Sequence, residues 1–116
     1  MNMTRIFLVL LLVAAWTSVA EAHAFLDHAS PAVGSTVAAP AQMEIWMTKD
    51  VRSPYSTVQV FDAKGAEVDK GNVTVLAETM TVSLPKLASG TYTVKWKAES
   101  ADCGHKTSGT FSFMVR

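Results

Sequence analysis

At 116 residues, with ten basic and ten acidic side chains and a formal net charge of zero, the chain suffices for one small domain and has no basic excess to hold nucleic acid. The same neutrality excludes electrostatic docking on anionic lipid as the main mode of action. A single cysteine, Cys103, excludes an internal disulfide, so packing and strand pairing must carry the stability.

The first 22 residues read as a secretory signal peptide. Arg5 supplies a positive start, residues 6–15 form a short apolar run, and Ala20-Glu21-Ala22 ends in the small-x-small pattern that signal peptidase cuts. The run is shorter than the roughly 20 apolar residues a membrane-spanning helix needs. No second run of that length follows, so the mature chain is expected not to be embedded in a membrane. Cleavage after Ala22 leaves residues 23–116 as one domain, with nine charges of each sign. Ala22-His23-Ala24 offers a competing small-x-small pattern, and a cut after Ala24 would instead remove His23.

Past the leader, polar and apolar residues alternate with a period of two in short runs. Residues 24–30 form the first, followed by Pro31 and Gly34-Ser35. Residues 43–47 put Met43, Ile45 and Met47 on one face, with Glu44 and Trp46 on the other. Residues 57–61 set Val58 and Val60 inward before a turn at 62–65. Residues 73–76 and 80–84 read as a short hairpin or as two edge strands. In residues 91–98, Tyr92, Val94, Trp96 and Ala98 share a face, with Trp96 expected as the central core aromatic. In residues 107–115, Phe111, Phe113 and Val115 point inward. This alternation is the mark of half-buried antiparallel strands, and no segment carries a helical period. About seven strands in 94 residues predict an all-β Greek-key β-sandwich.

Three histidines remain to carry chemistry: His23, His28 and His105. His23 becomes the first residue after cleavage. An N-terminal histidine offers its α-amine and ring Nδ1 together, and one further imidazole completes a three-nitrogen set that suits Cu(II). The amine has a reference pKa of about 7.7–8.0, so a metal displaces a weakly held proton near neutrality. His105 lies in Ser100-Ala101-Asp102-Cys103-Gly104-His105, where a carboxylate, a thiol and an imidazole fall within four residues. His28 has the opposite strand parity to His23 and is read as a surface or supporting residue. Met43 and Met47 follow the strand period and belong to the core, so no Cu(I) thioether site is expected.

These residues also carry a resemblance. The start His23-Ala24-Phe25-Leu26-Asp27-His28-Ala29-Ser30-Pro31, the stretch Ala39-Pro40-Ala41-Gln42-Met43-Glu44-Ile45, and the end from Leu87-Ala88-Ser89-Gly90-Thr91-Tyr92 through Trp96 to Ser108-Gly109-Thr110-Phe111-Ser112-Phe113 resemble the CopC family of periplasmic copper-resistance proteins. The resemblance implies an immunoglobulin-like, cupredoxin-related sandwich, a periplasmic location, one Cu(II) ion and a possible CopD-type inner-membrane transporter as partner. It assigns His23 and an Asp-x-His pair as ligands. Here the pair is Asp102-Cys103-Gly104-His105, one residue too long, so Asp102 or Cys103 takes the carboxylate position. Asp102 is expected as a weak axial or supporting carboxylate and His105 as the equatorial imidazole. Residues three apart converge only through a bulge or turn at Gly104. The methionine-rich loop of some relatives is absent, which implies the subtype that holds Cu(II) alone. A histidine-brace oxygenase and a metal-free immunoglobulin-like interaction module are the competing readings; no catalytic nucleophile or acid/base pair is visible, and no enzyme is expected.

Overall fold

A computed structural model describes residues 23–116; the segment read as a leader, 1–22, lies outside the described residues. Among the described residues there is no helix, and eight strands form two four-stranded sheets. They are β1 (Leu26–Ser30), β2 (Thr36–Val37), β3 (Gln42–Met47), β4 (Thr57–Phe61), β5 (Thr74–Leu76), β6 (Thr79–Ser83), β7 (Gly90–Glu99) and β8 (Lys106–Val115). One sheet runs β1-β3-β6-β5 and the other β2-β8-β7-β4. Successive strands alternate between the sheets from β1 to β5, so the two layers are laced together along the chain.

The alternation read from sequence is the alternation of burial. Met43, Ile45 and Met47 on β3, and Met80 and Val82 on β6, face Val58, Val60, Tyr92, Val94, Trp96, Ala98, Phe111, Phe113 and Val115 from the other sheet. Trp96 and Tyr92 are buried as expected, but Phe113 is the largest fully enclosed side chain, stacked on Tyr92 with ring centroids 5.6 Å apart. The Tyr92 hydroxyl donates to the Ala88 carbonyl at 2.6 Å, which gives a buried polar tip its partner and fixes the approach to β7.

Two features depart from the sequence reading, and one choice it left open is settled. β2 is an eighth strand of only two residues, paired in parallel with β8 through Thr36↔Met114 and Val37↔Val115; two residues are too few for a period to show. Residues 74–83 form a hairpin, β5–β6, the first of the two arrangements read from the sequence, with β5 at the edge of the sheet. In β1, Leu26 pairs with Met47 but His28 pairs with Trp46, so Asp27 is an extra residue in a β-bulge. Strand parity does not carry across that bulge, and Asp27 and His28 are both exposed.

The β7–β8 ladder holds ten residue pairs, from Gly90↔Val115 to Glu99↔Lys106. Within it the Trp96 ring lies flush over Gly109. A Cβ on that glycine would stand 2.6 Å from ring atoms Cε2 and Cζ2. Gly109→Ala should therefore push the indole off its seat and lower unfolding free energy by about 1–3 kcal/mol, measured by urea denaturation. An unchanged midpoint would show that the ladder yields at that point.

Candidate metal centre

The start of the domain is fixed rather than frayed. Ala24 is fully buried in the core, and its carbonyl accepts a hydrogen bond from Thr107 Oγ1 at 2.6 Å. The Phe25 amide donates to Thr48 Oγ1 at 2.9 Å, while the Thr48 amide donates back to the Phe25 carbonyl at 2.7 Å. His23 is thereby held, half-buried, against the end of the sandwich where β7 passes into β8.

That passage, residues 100–105, is a closed turn built around Ser100, which is fully buried. The Ser100 amide donates to the His105 carbonyl at 2.9 Å and the Gly104 amide to the Ser100 carbonyl at 3.0 Å. The His105 amide donates to Ser100 Oγ at 3.2 Å. Gly104 supplies the positive φ of 68° that closes the turn, and a Cβ there would come within 2.8 Å of the Arg52 guanidinium. The turn is stapled to its neighbour segment by the Ala101 amide on the Asp50 carbonyl, 2.9 Å, and the Arg52 amide on the Glu99 carbonyl, 3.0 Å.

The result is a pair of imidazoles. The rings of His23 and His105 lie with centroids 4.6 Å apart and planes 35° apart, although 82 positions separate them in sequence. Phe25 sets its ring edge against His23, with centroids 6.1 Å apart. His23 Nδ1 is buried and has no hydrogen-bond partner. Leaving such an atom unsatisfied costs about 1–3 kcal/mol, so the arrangement suits a group that will bond it.

Asp102 and Cys103 form a separate, exposed cluster. Asp102 Oδ2 stands 3.6 Å from Lys49 Nζ. The Asp102 carboxyl is held below the ordinary carboxylate range, chiefly by a hydrogen bond from the Cys103 thiol, with Lys49 adding to the shift. Cys103 Sγ also lies 3.0 Å from Ser100 Oγ. Among the described residues no three His, Cys, Asp or Glu side chains gather into a group that could hold a metal ion. The fold thus brings His23 to His105, and leaves Asp102 paired with Lys49. His28 stacks flat on Trp46, with centroids 4.3 Å and planes 8° apart, and bonds Asp27 at 2.7 Å. Met43, Met47 and Met80 are enclosed in the core. Thr48, Ser100 and Thr107, which fix the two histidines in place, carry no sequence signal because their partners are distant along the chain or are backbone atoms.

The CopC domain family model matches residues 26–116. The chain is 34% identical over 99 residues to the copper transport protein CutJ of Bacillus subtilis (strain 168), covering 81% of this chain but only 18% of that protein's length. It is 28% identical over 109 residues to copper resistance protein C of Pseudomonas syringae pv. tomato, covering 86% of each. Among solved structures, CopC from Methylosinus trichosporium OB3b superposes with a TM-score of 0.70 at 34% identity, over 80% of this chain and 93% of that one. PcoC, a methionine-rich copper resistance protein from Escherichia coli, gives a TM-score of 0.70 at 26% identity, over 82% of this chain and all of that one.

One hydroxyl reinforces the backbone bonds that close the turn presenting His105. Ser100→Ala removes the acceptor of the His105 amide and should lower stability by about 1 kcal/mol in urea titration. Hydrogen exchange of the His105 amide should quicken in the same variant; unchanged exchange would mean that the backbone bonds hold the turn alone.

Proposed function

The chain belongs to the CopC family, and from that membership we propose that its mature form, residues 23–116, is a periplasmic copper carrier that holds one Cu(II) ion through His23 and His105. The observation that carries the reading is the orphaned Nδ1 of His23, on a ring whose centroid lies 4.6 Å from that of His105. Nδ1 is the ring nitrogen that can close a six-membered chelate with the α-amine of the same residue; Nε2 points too far away. Removal of residues 1–22 turns that amide into the amine. Two nitrogens from His23 and one from His105 then make the tetragonal set that Cu(II) favours.

Asp102 is the weak axial or supporting carboxylate in this reading, released from Lys49 to approach the ion. Its carboxyl, held below the ordinary carboxylate range chiefly by the Cys103 thiol, enters such a site without giving up a proton at neutral pH. Cys103 is the alternative in that position, where its thiolate would draw the site toward Cu(I). The enclosed methionines support a centre that uses no thioether. A carrier rather than an enzyme fits the likeness to copper resistance and copper transport proteins. Resistance and transport are the roles named for the relatives, and the likeness to a fraction of a longer copper transport protein supports hand-over to a membrane transporter of the CopD type.

The test begins with the exported protein, whose mass and N-terminal sequence should start at His23. Cu(II) titration followed by visible absorption and electron paramagnetic resonance should show one site with nitrogen hyperfine structure. His23→Ala and His105→Ala should each weaken binding by about a hundredfold, the loss of roughly 3 kcal/mol of donor interaction. Asp102→Asn should cost about tenfold and Cys103→Ser little. Undiminished affinity in His23→Ala would sink the reading, and a collapse in Cys103→Ser would move the thiol into the site.

A further inference from the structure

We propose that Thr107 is a positioning residue for the copper centre, tying the chain start to the strand that carries His105 so that the two imidazoles are held as one unit. The proposal rests on the copper reading above and assigns what sets its geometry.

Three observations converge. The Thr107 hydroxyl donates to the Ala24 carbonyl at 2.6 Å, a tie across 83 positions of sequence. Thr107 stands two residues beyond His105, opposite Ala98 in the β7–β8 ladder, on the inward parity of β8. It is half-buried there, so water competes weakly for the bond. Ala24 adjoins His23 and is itself buried, which leaves the first residue little freedom once its neighbour's carbonyl is fixed. On the far side Thr48 holds the Phe25 backbone by the two bonds already described, and Phe25 sets its ring edge against His23.

A centre that takes two donors from one terminal residue is unusually sensitive to how that terminus is held. Chain ends fray unless they are tied down, and a metal that must itself order the end binds less tightly for doing so. The His105 turn is closed by Ser100 independently of Thr107. Removing the tie therefore leaves both imidazoles present and changes only how they stand to one another. That separates positioning from ligation.

The experiment uses the exported, leader-cleaved protein and Cu(II) as the probe. Thr107→Val keeps the shape and deletes the hydroxyl, and it should weaken Cu(II) binding about tenfold while broadening and shifting the copper hyperfine pattern. Thr107→Ser should restore both affinity and spectrum. Thr48→Val, which loosens the same segment from its other side, should act in the same direction. Thr110→Val, an exposed hydroxyl farther along β8, should leave the wild-type signal intact. Equal affinity and an identical spectrum in Thr107→Val and wild type would show that Thr107 has no part in binding. So would a loss in Thr107→Val that serine fails to rescue. A wild-type protein that holds no Cu(II) through His23 and His105 would overturn the functional reading and this role together.

Discussion

The β7–β8 ladder is the constraint on which the rest of the molecule hangs. Ten consecutive residue pairs align two ten-residue strands, and their inward side chains supply Tyr92, Val94, Trp96, Ala98, Phe111, Phe113 and Val115 to the core. Every other strand of that sheet borrows its position from this pair, β4 along β7 and β2 along β8. The ladder tolerates no slip. A shift of one residue would turn the whole apolar set outward and lift the indole of Trp96 off Gly109. Because the register is fixed over such a length, the turn at its far end is fixed too, and His105 inherits a defined place.

The other histidine reaches that place by different means. His23 precedes β1 and is steered by the burial of Ala24 and by hydroxyls from two distant segments. The pairing of rings is thus a tertiary product of a rigid hairpin and a tethered end. The arrangement that follows, an unsatisfied Nδ1 on a ring packed beside a second imidazole, is stabilised by the core rather than by any local motif. Asp102 and Cys103 lie on the exposed shoulder of the same turn, with Lys49 from the segment after β3 set against Asp102, and supply charge and a thiol at the rim.

Much of this could be read from the chain. Period-two alternation foretold the core faces of β3, β4, β7 and β8 residue by residue, because a half-buried strand writes its burial directly into its sequence. The positions of His23 and His105 marked them as a pair worth testing. What sequence could not show were departures from strict period. The bulge at Asp27 breaks the parity by which His28 was set opposite to His23, and β2 is too short for any pattern. Nor could Thr107 be picked from among the chain's many threonines, since its bond to Ala24 exists only once the sandwich has closed. The extra residue between Asp102 and His105 was visible, but the closed turn that absorbs it is defined by backbone bonds to Ser100, which leave no trace in composition.

The placement of the methionines has a bearing on durability. Thioethers are easily converted to sulfoxides, which are polar and ruin an apolar interior. Met43, Met47 and Met80 lie at the centre of the sandwich, where an oxidant reaches sulfur only if the sheets part. Met114 is 38% exposed and faces outward from β8, where an added oxygen meets solvent instead of a packed neighbour. Oxidation of the enclosed methionines therefore waits on opening of the sandwich, whereas Met114 can take up oxygen with the sheets still closed.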